Sequence, residues 1–211
     1  LDRSQVLDNT AMVGGGLTSI EGTAALDNTI VSGNTAALGG GIATVLGRLT
    51  LTDTQVSSNM ADSTLCQDPE ICTLPGAVGG GILNDRSKAD LLRTEISWNR
   101  AGPVGVGGGI FNGSANANYL DTESRMTSTN TTISNNVAEG DGTVYEGIPS
   151  GTGGGLFNYG QGATVVATHV TTAHNTASHG GGAGYGAMHS SVAIGNSLIQ
   201  GDCFGDGTAP N

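Results

Sequence analysis

The amino-acid sequence predicts an all-β fold, a single-stranded right-handed parallel β-helix of about seven coils with loop insertions at one corner. Three observations carry that expectation. Six glycine triplets, each followed by an aliphatic or small residue, recur at Gly14, Gly39, Gly79, Gly107, Gly153 and Gly180. Ahead of each stands an Asn followed two residues later by Ala: Asn9, Asn34, Asn59, Asn99, Asn136 and Asn175. Between the landmarks, apolar and polar residues alternate with the period of a strand. Self-similarity at a period of some 25 residues is the signature of stacked coils.

Spacing separates a rigid half of the unit from an elastic one. From a glycine triplet to the next Asn the distance is 20 residues three times (14 to 34, 39 to 59, 79 to 99), then 29 and 22. From Asn forward to the triplet it is 5, 5, 20, 8, 17 and 5 residues. Insertions are therefore expected at about 60–78, 113–125 and 139–152, as loops on one side of a single domain spanning 1–211.

Counting back from each Asn exposes the strands of the fixed half. Val6, Val31, Val56, Ile96, Ile133 and Thr172 stand three before it, and Leu1, Leu26, Leu51, Leu91, Ser128 and Ala167 eight before it. Ser4, Thr29, Thr54, Thr94, Thr131 and Val170 stand five before it. Runs such as Leu49-Thr50-Leu51-Thr52 alternate as a half-buried strand does, and Thr, Val and Ile dominate these runs. Asn196 to Asp202 repeats Asn28 to Asn34 in pattern, so Asp202 is expected in the Asn column. Stacked in parallel at about 4.8 Å per coil, the columns become ladders: Asn9, Asn34, Asn59, Asn99, Asn136, Asn175 and Asp202. Their amides bond from coil to coil at a tight, left-handed corner. The glycines serve where backbones meet too closely for a side chain.

A leucine-rich repeat is the nearest alternative, since it also sets apolar residues before an Asn. Its helical return segment has no counterpart here, because Gly39 to Leu49 is glycine-rich without helical periodicity. The Gly-Gly-Gly-Ile/Leu run, extended by Phe111-Asn112 and Phe157-Asn158, then a Leu-Thr-Leu-Thr strand and Thr-Ile-Val-Ser-Gly-Asn-Thr-Ala (29–36), resembles the glycine-rich bacterial β-helix repeat proteins. These are similar in pattern to polymorphic outer-membrane and surface-anchored proteins of pectate-lyase-like fold. The resemblance implies a bacterial-like extracellular or cell-surface setting and says little of activity, since one fold hosts enzymes, adhesins and scaffolds.

Composition narrows the partners. Only 4% of residues are aromatic, so packing rests on aliphatic ladders and hydrogen bonds. Seven Lys and Arg against 18 Asp and Glu give a formal charge of −11, which argues against nucleic acid and anionic membrane. No apolar run is long enough for direct membrane insertion. Leu1 falls within a strand, so the sequence is expected to be part of a longer chain or of an assembly whose copies cover its ends. Cys66 and Cys72 flank a short insertion segment and are expected to form a disulfide, which fits an oxidising compartment; Cys203 is left over.

Candidate chemistry is sparse. Asp53 and Arg93 share the column six before the Asn and would be neighbours on successive coils, the weak alternative for a catalytic pair. Glu139, Asp141 and Glu146 form an acidic loop with oxygens for calcium, though without the spacing of a known calcium loop. His174 and His179 need a favourable corner to share a metal. Asn112 and Asn130 match the N-glycosylation acceptor pattern. The expected function is a non-enzymatic rigid spacer, adhesin or filament subunit with no cofactor, whose partners are further copies of itself or cell-surface glycans. The alternative is a carbohydrate-active enzyme or a glycan-binding module.

Overall fold

The computed structural model describes residues 1–66, 76–114, 123–145, 148–179 and 184–205. It is a parallel β-solenoid in which each circuit of the chain contributes short strands to four sheets. Sheet I runs from Leu17–Ile20 through Ile42–Val45, Ile82–Asp85, Ile110–Gly113, Leu156–Tyr159 and Tyr185–Met188 to Cys203–Gly205. Sheet II holds Thr23–Asp27, Arg48–Thr52, Lys88–Leu92, Ser124–Thr129, Ala163–Thr168 and Ser191–Gly195. Sheet III follows from Gln5–Leu7 and Ile30–Ser32 to Leu198–Ile199, and sheet IV from Thr35–Ala36 to Thr176–Ala177. Every strand in these four sheets pairs in parallel with its equivalent on the next circuit. Among the described residues there is no α-helix, and one antiparallel pair, Val144–Tyr145 with Ile148–Pro149, lies in an insertion.

Register turns the repeating columns into a continuous core. Leu51 lies between Leu26 and Leu91, and Val56 between Val31 and Ile96. All are buried, facing Ile42, Ile82, Ile110 and Leu156 from sheet I. Each such side chain contributes about 1.5–3 kcal/mol on burial, and the alternate residues of sheet II face out, as in the buried-and-partly-exposed alternation of Arg48–Thr52.

Corners are made by single residues with left-handed backbone. Asn28, Asp53, Arg93, Asn130, His169 and Asn196 have φ between 47° and 54° between sheets II and III. The Ser/Thr column that follows caps this bend: Thr29 Oγ1 donates to Asp27 O at 2.9 Å and Thr54 Oγ1 to Thr52 O at 2.8 Å. A second left-handed column, Asp8, Gly33, Ser58, Trp98, Asn135 and His174, stands one residue before the ladder Asn. The ladder Asn residues themselves lack positive φ. Their role is in the side chain, and the preceding residue carries the backbone cost of about 1 kcal/mol.

Glycine is required by close approach. A Cβ on Gly80 would lie 2.3 Å from Gly108 O and 2.4 Å from the carbonyl carbon of Arg100, both backbone. In the last circuit Leu156 N donates to Gly184 O and Tyr185 pairs with Leu156, so Gly184 takes the register of Gly155; Gly180-Gly181-Gly182 lies outside the described residues.

Sheet I is buried on both faces where the insertions reach it. Outward-facing Ala43, Leu83, Phe111 and Phe157 pack in a second core with Leu38, Val78, Val106 and Ile148. Phe111 and Phe157, in adjacent register, meet in a tilted pair with centroids 5.9 Å apart, and Phe157 stacks on Tyr159 at 6.1 Å. Parts of 60–78 and 139–152 thus cover the solenoid rather than project from it: Ala77–Val78 pairs with Gly105–Val106, and Ile148 is fully buried. Of insertion 113–125, residues 115–122 lie outside the described residues; its ends connect sheet I to sheet II rather than sheet IV to sheet I.

Candidate functional site

An amide ladder runs inside the corner between sheets III and IV. Asn34 Oδ1 accepts from Asn9 N at 3.0 Å and from Asn9 Nδ2 at 2.9 Å. Asn34 Nδ2 in turn donates to Val6 O at 2.9 Å and to Asn59 Oδ1 at 3.0 Å. The same bonds repeat through Asn59, Asn99, Asn136 and Asn175. From Asn34 onward these side chains are buried. Each amide fills both of its polar ends, as burial demands.

Asp202 does not continue the ladder. It is exposed, no bond joins it to Asn175, and its carbonyl accepts from Gly184 N at 3.1 Å. The chain passes directly from Asp202 into Cys203–Gly205, which joins sheet I beside Tyr185–Met188. A carboxylate also lacks the N–H that each ladder amide donates to a carbonyl, so burial there would cost more than it returns.

A second amide ladder escaped the sequence reading. Asn84 Nδ2 donates to Asn112 Oδ1 at 2.7 Å, and Asn112 Nδ2 to Asn158 Oδ1 at 2.6 Å, all three side chains buried. Its sequence signal was the Phe-Asn pair after two of the glycine triplets. This burial removes Asn112 as a glycosylation acceptor in the folded chain, because its amide nitrogen is committed inside the wall. Asn130 sits exposed at a left-handed corner.

On the surface, Arg93 reaches across to Asp53 on the preceding circuit in a two-pronged pair, Nε to Oδ1 at 2.6 Å and Nη2 to Oδ2 at 2.7 Å. Both side chains are about half exposed. The hydrogen bonds from Arg93 hold the Asp53 carboxyl below the usual carboxylate range. A shallow groove beside the pair is lined by Arg3, Asn28, Asp53 and Gln55. In this arrangement both Asp53 oxygens are occupied, and neither partner is poised as a free acid or base.

The acidic loop is likewise committed. Glu139 pairs with Arg100. Asp141 Oδ1 accepts from Thr143 N at 2.8 Å and from Ser150 Oγ at 3.1 Å. The Thr143 and Ser150 bonds pull its carboxyl down to about 2. Glu146 lies outside the described residues. Among the described residues, no three His, Cys, Asp or Glu side chains stand close enough to hold a metal. His174 is exposed at its left-handed corner, and the His179 backbone donates to Gly151 O.

Cys72, and with it the expected Cys66–Cys72 bridge, lies outside the described residues. Cys203 is a free thiol, raised above its ordinary value by partial burial. No helix among the described residues is long and apolar enough to cross a membrane. The chain matches no protein-family model, no curated protein and no solved structure.

Proposed function

We propose that this protein is a non-enzymatic structural β-solenoid of the extracellular or cell-surface space, acting as a rigid spacer, adhesin or filament subunit. The observation that carries the reading is the unbroken amide ladder from Asn9 to Asn175, which ties successive circuits together along the axis in addition to the backbone bonds. Such a construction spends its buried polar groups on stiffness. The candidate carboxylates Asp53, Glu139 and Asp141 are engaged in ion pairs or turn bonds, which fits a structural surface. A Cys66–Cys72 staple in the insertion would suit an oxidising compartment. Parallel stacking has a direction, so copies joining end to end would do so head to tail and build filaments rather than closed rings.

Electron microscopy and solution scattering of the purified chain test this. Short stiff rods, lengthening into filaments as concentration rises, are expected; a flexible or collapsed particle would refute the spacer, and rods that never associate would refute the filament.

The groove beside Asp53 and Arg93 favours one second reading, a polysaccharide lyase or hydrolase, with calcium as the cofactor such chemistry commonly uses. Turnover of an acidic polysaccharide that disappears in Asp53→Asn and Arg93→Ala would establish it. Absence of new reducing ends or unsaturated products, with and without calcium, would remove it.

A further inference from the structure

The outward face of sheet II carries a feature that the spacer reading does not use. Arg48, Lys88 and Arg125 occupy one register column on three consecutive strands. Adjacent members are therefore about 4.8 Å apart along the axis. All three are exposed. In a chain with seven basic and 18 acidic residues, Arg48, Arg86, Arg93 and Arg100 have carboxylate partners. Among the described residues Lys88 and Arg125 have none, and Asp90 on the same face is taken by Arg48. Like charges directly opposite one another on neighbouring strands destabilise a sheet. The column is thus a cost to the fold that an anion would offset.

We infer that this column is a binding track for an anionic polysaccharide, carboxylated or sulfated, lying parallel to the solenoid axis. The match is one of charge and of hydrogen bonding: exposed cations in a row suit the acid groups of the chain, and neighbouring hydroxyls suit its sugar hydroxyls. Thr50 and Thr127, two positions along on the same face, add hydroxyls beside the cations. The overall charge of −11 opposes any polyanion at long range. Physiological salt screens that repulsion beyond about 8 Å and leaves contact pairs largely intact, so recognition is local to the column. The inference narrows the adhesive side of the function proposed above to one chemistry and one face.

Affinity electrophoresis at about 150 mM salt tests it, with polygalacturonate and dextran sulfate as probes and neutral dextran and poly-glutamate as comparators. Retention by at least one charged polysaccharide is expected. The double variant Lys88→Gln/Arg125→Gln should lose about tenfold in affinity. A double variant with the same change in net charge on exposed positions of sheets IV and III, Thr176→Glu/Leu198→Glu, should keep it. The inference is overturned if neither charged polysaccharide binds, if poly-glutamate binds as tightly, or if both double variants weaken alike. Rods seen by microscopy in the same preparations would show that such a failure leaves the spacer standing.

Discussion

The second amide ladder ends abruptly, and its end can be extended. In register with Asn84, on the preceding strand of sheet I, stands Thr44. Both are fully buried, and neither Thr44 Oγ1 nor Asn84 Oδ1 has a hydrogen-bond partner among the described residues. Where Asn meets Asn on the next two steps, the Nδ2 of one reaches the Oδ1 of the other at 2.7 and 2.6 Å. Thr44→Asn adds the missing donor facing Asn84 Oδ1, and its own Oδ1 faces Ser19, the register partner on the other side, whose hydroxyl can donate. A satisfied buried acceptor recovers about 1–3 kcal/mol, and fixing a slightly larger side chain costs back a part of that. The net expectation is a gain of about 1–2 kcal/mol, seen as a higher denaturant midpoint at unchanged slope. Hydrogen exchange of backbone amides in Ile42–Val45 and Ile82–Asp85 should slow together, because a solenoid gains stability locally. A neutral or destabilising result, with the fold intact by circular dichroism, would refute the reasoning that the ladder is limited by a missing donor.

Other perturbations follow from the same geometry. Asn99→Ala strips two acceptor bonds from Asn59 and the donor bonds to Val56 O and Asn136 Oδ1; at about 1 kcal/mol each the loss should approach 4 kcal/mol by chemical denaturation, while Asn9→Ala at the exposed end should cost far less. Gly80→Ala forces a Cβ into the Gly108 and Arg100 backbone and should abolish soluble folded protein or lower the melting temperature sharply, whereas Gly195→Ala, with open space around it, should be silent. Because the folded Asp141 carboxyl titrates at about 2, below its unfolded value, its contribution is present above the ordinary carboxylate range and is lost as pH falls toward that point; Asp141→Asn should flatten the pH dependence of stability on the acid side. In a host that N-glycosylates secreted proteins, mass spectrometry should find Asn112 bare in folded material, with any occupancy confined to Asn130.

What could be read from the residues alone was whatever repeats once per circuit with one chemistry. Asn34, Asn59 and Asn99 announce a ladder because an amide both donates and accepts along the stack, and Leu26, Leu51 and Leu91 announce a wall because burial tolerates little else. Left-handed corners stayed hidden because they are filled by Asp53, Arg93, His169, Ser58 and Trp98, residues with nothing in common but a backbone angle. The short ladder at Asn84, Asn112 and Asn158 spans too few circuits to stand out as a column, and Thr44 breaks it. The fate of the insertions was illegible for a different reason. That Val78, Val106 and Ile148 fold back over Leu83, Phe111 and Phe157 depends on contacts between different circuits, which no local pattern encodes. Asp202 misled because a strand can keep its register through Leu198–Ile199 while the chain then cuts across to sheet I.

The polarity of the long amide ladder makes length an adjustable quantity. Every interior Asn accepts hydrogen bonds from one neighbour and donates them to the other, so any circuit presents the same plug below and the same socket above. A whole circuit copied or excised between two such joints leaves no mismatched amide in this ladder. Genes encoding this wall could therefore lengthen or shorten the molecule by unequal recombination, one modular ring at a time, without redesigning its interior.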